Sequence, residues 1–247
     1  MRVLGFIPLL YGKEYLEACI KSIDPCITEL LIIYTEKPSF GYGSEVPCPE
    51  SEQELKDIAF ATSKNVKWMN VTGKVGQEGA HRNMANIYAK EHAFDIIVCV
   101  DSDEVWDTDV LRKSIDSAYN GNCQRYKTSH IGWVHFWRSF NYCCKDFFEP
   151  VRFINMNCNN GAEGVVDCKI YHFGYAQRAE IIEYKMAVHG HKNEIRENWL
   201  QEKFLNWKEG DNDVHPTSFG LWNPEIFFKD SLPPLLKNHP NFNKEII

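Results

Sequence analysis

The chain has no apolar stretch approaching the roughly 20 residues that a bilayer crossing requires, so no transmembrane segment is expected. The opening Met1-Arg2-Val3-Leu4-Gly5-Phe6-Ile7-Pro8 is too short an apolar run for a signal peptide. There is no basic run, and the net charge is -7, which argues against a nucleic-acid binder held by phosphate contacts. Nine cysteines are an odd number, too few for a disulfide scaffold of this length, and no CxxC or Cys/His spacing reads as a zinc site. Repeats, low-complexity tracts and linkers are also lacking. These absences together predict a soluble chain in a reducing compartment. The expected location is cytoplasmic, with peripheral attachment to a membrane left open.

What is present is ample core material: 44% of the 247 residues are hydrophobic and 13% aromatic. In the first half short apolar runs alternate with amphipathic stretches. Val3 to Ile7, Leu30 to Tyr34, Val66 to Val71 and Phe94 to Val100 read as strands. Lys13 to Ile23, Gly79 to His92 and Val110 to Tyr119 read as helices, the last with Asp107-Thr108-Asp109 as cap. Such alternation predicts an α/β fold with a mostly parallel sheet flanked by helices, whose ligands sit at the carboxyl ends of the strands. The second half reads as strands at Ile131 to Trp137, Val151 to Met156 and Val165 to His172, then helices at Ala179 to His189 and Glu194 to Trp207. From Asn212 a tail rich in Pro and aromatics is expected to wrap the rest. One domain over 1-247 is predicted, with a ligand-binding half at 1-120 and a second half at 121-247.

Three stretches carry candidate chemistry. "DSDE" at 101–104 closes the apolar Phe94–Val100 run, and two carboxylates at i and i+2 past a strand end can converge on a hard divalent cation. The plain alternative is a turn, with Asp101 as its cap and the other acids solvated. In "GFIPLLYGKEYLEACIKSI", Pro8 ends the strand and Tyr11 stands before the helix, placed to stack on a nucleobase or to lie on the surface. "GQEGAHRNMANIYA" sets Gly76 and Gly79 before a helix with Arg82 in its first turn, a pattern that suits phosphate.

Together these stretches resemble the nucleotide-sugar half of GT-A fold glycosyltransferases, family 2-like: a strand ending in Pro before an "E-Y-L" helix, the segment Gly79-Ala80-His81-Arg82-Asn83, and an apolar strand into DxD. The resemblance covers about residues 1 to 120. It implies that Pro8, Leu9 and Tyr11 line a nucleoside pocket, that Arg82 faces the base or diphosphate, and that Asp103 binds Mn²⁺ (or Mg²⁺). Asp101 would contact ribose or metal, with Ser102 beside it among the donor contacts and Glu104 supporting the loop. The chain departs from the family where Asn-Glu is replaced by Tyr11-Gly12-Lys13-Glu14 and Asp-Asp-Gly-Ser by Thr35-Glu36-Lys37-Pro38, leaving Glu36 as the ribose or base partner.

His172, in "KIYHFGYA", is the third metal ligand the resemblance implies, a neutral imidazole being a good ligand for manganese. Glu163 and Asp167 are the candidates for a base that takes the acceptor proton. Trp133, Trp137 and Trp222 could offer an acceptor sugar an aromatic face, and His189 and His191, two residues apart, either bind metal or, the favoured reading, mark a break between helices. The implied substrates are a nucleoside diphosphate sugar, UDP-sugar first, and a glycan, protein or lipid-head-group acceptor. Two other readings compete. A haloacid-dehalogenase-like phosphatase would use Asp101 and Asp103 with "GDND" at 210–213 as a late acidic motif, and a non-catalytic nucleotide-sugar-binding module would use the same pocket without turnover.

Overall fold

A computed structural model describes residues 1–38, 46–72 and 78–245. In chain order its elements are β1 (Val3–Leu9), α1 (Lys13–Ile23), β2 (Glu29–Tyr34), α2 (Glu52–Thr62), β3 (Val66–Asn70), α3 (Glu78–Glu91), β4 (Ile96–Cys99), β5 (Glu104–Trp106) and α4 (Thr108–Asn120). There follow β6 (Arg125–Thr128), β7 (Trp133–Trp137), β8 (Tyr142–Cys144), β9 (Val151–Asn155), β10 (Glu163–Val166), β11 (Ile170–Tyr175), α5 (Ala179–Val188), β12 (Glu225–Ile226) and α6 (Pro234–Lys237).

The strands form a seven-stranded sheet ordered β10-β6-β9-β4-β1-β2-β3 and a five-stranded sheet ordered β12-β8-β7-β11-β5. Strands β3, β2, β1 and β4 run parallel, which is the expected α/β class. Both faces of this part are buried, and the two-residue period of a strand decides which side chain goes where. Ile7, Leu30, Ile32, Ile96 and Val98 point to the side that carries Leu16 and Ile20 of α1 and Leu111 and Ile115 of α4. Their neighbours Phe6, Leu31, Ile33, Ile97 and Cys99 point to the other, under Ala85 and Ala89 of α3.

The chain leaves β1 through α1 toward β2, but returns from β3 through α3 to β4 on the opposite flank of β1. The order of strands therefore reverses between β1 and β4, and a crevice opens at their carboxyl ends, the usual ligand position in open α/β sheets. Gly12, the residue before α1, has φ 135°, a backbone state that glycine reaches without strain. A side chain there would lie 2.1 Å from Ser102 Oγ, so this glycine also lets the loop after β1 close on the DSDE loop.

In the second half β6, β8 and β12 were not expected, and two expected elements come out differently. Val165 to His172 is not one strand: β10 joins the first sheet beside β6, and β11 joins the second between β7 and β5. Glu194 to Trp207 is not one helix. Asn198 takes φ 55°, which an α-helix excludes, and the regular part is a single π turn at Leu200–Leu205. The tail packs back on α1: Leu232, Leu236 and Phe242 join Tyr15 in a core cluster, and Asn241 and His239 hydrogen-bond to Glu14.

Candidate active site

The crevice holds a cleft of about 340 Å³ lined by Pro8, Leu9, Leu10 and Tyr11 from the end of β1, Thr35 and Pro38 after β2, and Asp101, Ser102 and Asp103 after β4. His81 from α3, His172 from β11 and Lys185, Val188, His189 and Gly190 from the end of α5 complete it. Residues separated by more than 150 positions thus meet around one space. Of the residues expected to bind a donor or metal, Pro8, Leu9, Tyr11, Asp101, Ser102, Asp103 and His172 are here.

Strand pairing sets the position of His172. β5 follows the DSDE turn directly and pairs antiparallel with β11, matching Glu104 with His172, and Phe173 N–H donates to the Asp103 carbonyl at 2.8 Å. The result is His172 Nε2 at 3.6 Å from Asp103 Oδ1. The other oxygen, Asp103 Oδ2, accepts from Gln177 Nε2 at 3.2 Å and has Lys185 Nζ at 4.0 Å. Burial raises the Asp103 carboxyl above its ordinary value, Lys185 opposing and Asp101 adding to the rise. Burial, with His135, Lys185 and Arg152 nearby, holds His172 well below the usual imidazole value, so the ring is neutral and keeps one nitrogen lone pair. Behind it, His172 Nδ1 lies 3.3 Å from His135 Nδ1, which is 3.1 Å from Asp146 Oδ2.

The positive group between the crowded acids is an arginine. Arg152, on β9 next to β4, pairs through Nη2 with both Asp101 Oδ2 and Glu104 Oε1, and its side chain is 2% exposed. Glu104 Oε2 takes further bonds from Trp106 Nε1 and the Asp101 N–H, each at 3.3 Å. Burial pushes the Asp101 carboxyl up, but the Arg152 and Arg82 guanidiniums outweigh it and hold Asp101 below the ordinary aspartate range. The loop is thereby clamped from beneath, with Asp103 left to face the cleft.

This arrangement bears on the metal. Asp103 Oδ1 and His172 Nε2 offer one hard oxygen and one imidazole nitrogen at a separation close to that of two neighbouring ligands on one divalent cation, and the donor set suits Mn²⁺. Asp101, expected to contact ribose or metal, lines the cleft as well and has its Oδ2 paired with Arg152. Among the described residues no three His, Cys, Asp or Glu side chains converge as a metal-ligand group. The residues present fit a metal held by two protein ligands and completed by substrate oxygens and water, as is common for Mg²⁺ with phosphate substrates.

Other expected residues stand apart. Arg82 does not line the cleft: its Nη1 donates to Cys99 Sγ at 3.2 Å beneath the β4 end, while its neighbour His81 lines the cleft. Glu36 is exposed and its N–H donates to Thr72 Oγ1. Glu163 lies on β10 at the far edge of the first sheet, paired with Arg125 at 3.1 Å and Lys127 at 3.0 Å, and exposed Asp167 follows it; neither lines the cleft. Gly76 falls outside the described residues. Trp133 and Trp137 are buried, Trp133 against the His172 ring and Trp137 against Trp199 and Phe204, while Trp222 covers His135.

The amino end of α1 is closed to phosphate. The buried Glu50 carboxylate accepts from Gly12 N–H at 2.7 Å and Lys13 N–H at 2.9 Å, occupying the place where an anion would bind a helix end. Asp213 of "GDND" is held by Arg196 and does not line the cleft, and the segment before it is the π turn rather than a strand. A late acidic motif of the phosphatase kind is therefore not assembled at Asp101 and Asp103.

Sequence reasoning passed over Arg152 and Lys185. Each left a signal, a lone positive charge set between apolar neighbours: Arg152 between Val151 and Phe153, and Lys185 between Tyr184 and Met186. A charge so placed requires a buried partner.

No protein-family model matches the sequence, and no curated protein matches it. Among solved structures the chain is similar to glucosyl-3-phosphoglycerate synthase from Mycobacterium tuberculosis in complex with Mg²⁺ and UDP, at 16% identity and a TM-score of 0.39, over 51% of this chain and 43% of that one. It is also similar to S. aureus TarS 1–349 in complex with UDP-GlcNAc, at 18% identity and a TM-score of 0.36, over 52% of this chain and 34% of that one. The chain thus matches less than half the length of either structure.

Proposed function

We propose that the cleft binds a nucleoside diphosphate sugar, UDP-sugar first, and that the chain transfers the sugar to an acceptor hydroxyl on a glycan, protein or lipid head group. The observation that carries this reading is Asp103 Oδ1 facing His172 Nε2 at 3.6 Å, in a crevice where the strand order reverses. Tyr11, beside Pro8 and Leu9, offers the nucleoside end an aromatic wall, its ring set edge-on to Tyr184 at 5.6 Å. Asp103 and His172, lining the same cleft, would hold the metal.

In the reaction the bond from the anomeric carbon to the β-phosphate oxygen breaks, a bond from that carbon to the acceptor oxygen forms, and the acceptor's proton passes to a base or to water. A bound Mn²⁺ or Mg²⁺ supplies positive charge for the leaving diphosphate. The protein's part is to keep His172 neutral by burial, to hold Asp103 Oδ2 through Gln177, and to lock the loop through Arg152. Glu163 and Asp167, the base candidates of the sequence, would have to come within hydrogen-bond reach of the acceptor hydroxyl at the anomeric carbon to act.

The test is direct: incubate the protein with Mn²⁺, a set of nucleoside diphosphate sugars and candidate acceptors, and measure release of free nucleoside diphosphate. Acceptor-dependent release supports transfer. Tight donor binding with no release under any pairing would favour the non-catalytic binding module.

A further inference from the structure

Helix α5 is apolar around most of its circumference, with Ile181, Ile182, Tyr184, Met186 and Val188 all buried, yet Lys185 is among them with a side chain only 17% exposed. Desolvating an ammonium is costly unless anions or dipoles replace its water. Here Nζ donates to the Gly174 carbonyl at 2.8 Å and lies 4.5 Å over the Tyr175 ring. Asp103 Oδ2, at 4.0 Å, attracts it from beyond hydrogen-bond range. The Gly174 bond accounts for one of three N–H groups, and Lys185 lines the cleft.

Gly174 makes this approach possible. A Cβ at that position would lie 2.6 Å from His172 Cε1 and 3.2 Å from Lys185 Nζ. Bare backbone at this point lets an imidazole and an ammonium approach the same carboxylate, His172 at Oδ1 and Lys185 at Oδ2. Arg152 is committed to Asp101 and Glu104 below the loop, so Lys185 is the one lysine or arginine among the described residues that line the cleft.

We propose that Lys185 Nζ binds the diphosphate of the donor directly, so that the nucleotide is held by a built-in cation in the absence of a divalent metal as well as in its presence. This rests on the nucleotide-sugar reading of the cleft. An ammonium beside Asp103 provides the same sign of charge as the metal, at the same wall, from a group the chain itself carries.

Calorimetric titration of UDP and of UMP into the metal-free protein in EDTA, repeated with Mn²⁺, tests it, using the wild type, Lys185→Met and Lys185→Gln. The Gln variant retains a donor for the Gly174 carbonyl and serves if the Met variant does not fold by circular dichroism. The expected result is that the wild type binds UDP in EDTA, and that the substitutions weaken UDP about tenfold or more while UMP changes much less. UDP affinity in EDTA equal to wild type in either folded variant overturns the proposal, as does an equal loss for UDP and UMP. Wild-type binding of UDP only with Mn²⁺ overturns the proposal and leaves the nucleotide-sugar reading standing. No UDP binding in either buffer overturns that reading itself.

Discussion

Arg152 and Glu104 form an ion pair that water does not reach, with side chains 2% and 0% exposed, and the same Arg152 nitrogen also meets Asp101. Two acids and a guanidinium from different strands are thus one unit beneath the loop that presents Asp103. Removing one member of such a unit leaves charge buried without a partner.

Arg152→Met is accordingly expected to lower stability by about 3–5 kcal/mol in urea unfolding. Adding Glu104→Gln to that variant should recover part of the loss, because the second change removes the stranded charge. A loss below about 1 kcal/mol in the single variant would mean that the clamp does not carry the loop.

Gly174→Ala should leave the backbone of β11 intact but push the His172 ring from its place, since the new Cβ would sit 2.6 Å from Cε1 and 2.7 Å from Nε2. The expected outcome is weaker Mn²⁺ binding by paramagnetic resonance with a small change in melting temperature. An unaltered Mn²⁺ spectrum would show that His172 is not a ligand.

Acid should weaken the neutral histidines' contribution to stability in a defined window. Burial, with Lys185, His191 and His215 adding to it and Glu194 opposing, lowers His189 to about 4, and burial also lowers His135, His172, His215 and His239. Unfolded histidines titrate near 6.5, so between about 6.5 and 4 the unfolded chain binds protons that the folded chain refuses. Stability contributed by these neutral rings is complete above about 6.5 and declines as pH falls toward 4. Burial raises Glu104 to about 8 and also raises Asp103, and these carboxyls act in the opposite sense. The histidine contribution is therefore read as a difference: from pH 7.5 to 5 the melting temperature of the wild type should fall relative to that of His189→Gln, and parallel curves for the two proteins would contradict this.

Glu163→Gln removes a carboxylate at a sheet edge whose partners, Arg125 and Lys127, are both solvated. Exposed pairs of this kind contribute little. The melting temperature and UDP affinity should stay as in the wild type, and nucleoside diphosphate release should survive. Abolished release with intact UDP binding would instead favour Glu163 as the base.

Much of the first half could be read from the sequence because local physics decides it. The continuous apolar runs of β1, β2 and β4, and the placing of "DSDE" at the end of β4, follow from a strand buried on both faces that must stop where charge begins. Helix α2 was missed although its start was written as Ser51-Glu52-Gln53-Glu54, a capping box present in the structure. Only Leu55 and Ala59 of that helix are buried, so its apolar period was faint. The split of Val165 to His172 into β10 and β11 depends on which sheet each half joins, and such pairing over long distances has no local signature. The partners of Arg152 and Lys185 were hidden for the same reason: each comes to the cleft region through the pairing of strands or the docking of a helix far from "DSDE" in sequence.

Titration of UDP into wild-type and Asp103→Asn protein, with and without Mn²⁺, examines the central claim most directly. The account predicts that Mn²⁺ tightens UDP binding to the wild type and that this gain disappears in the folded Asp103→Asn variant. An equal gain from Mn²⁺ in the variant, or no UDP binding by the wild type, would contradict it.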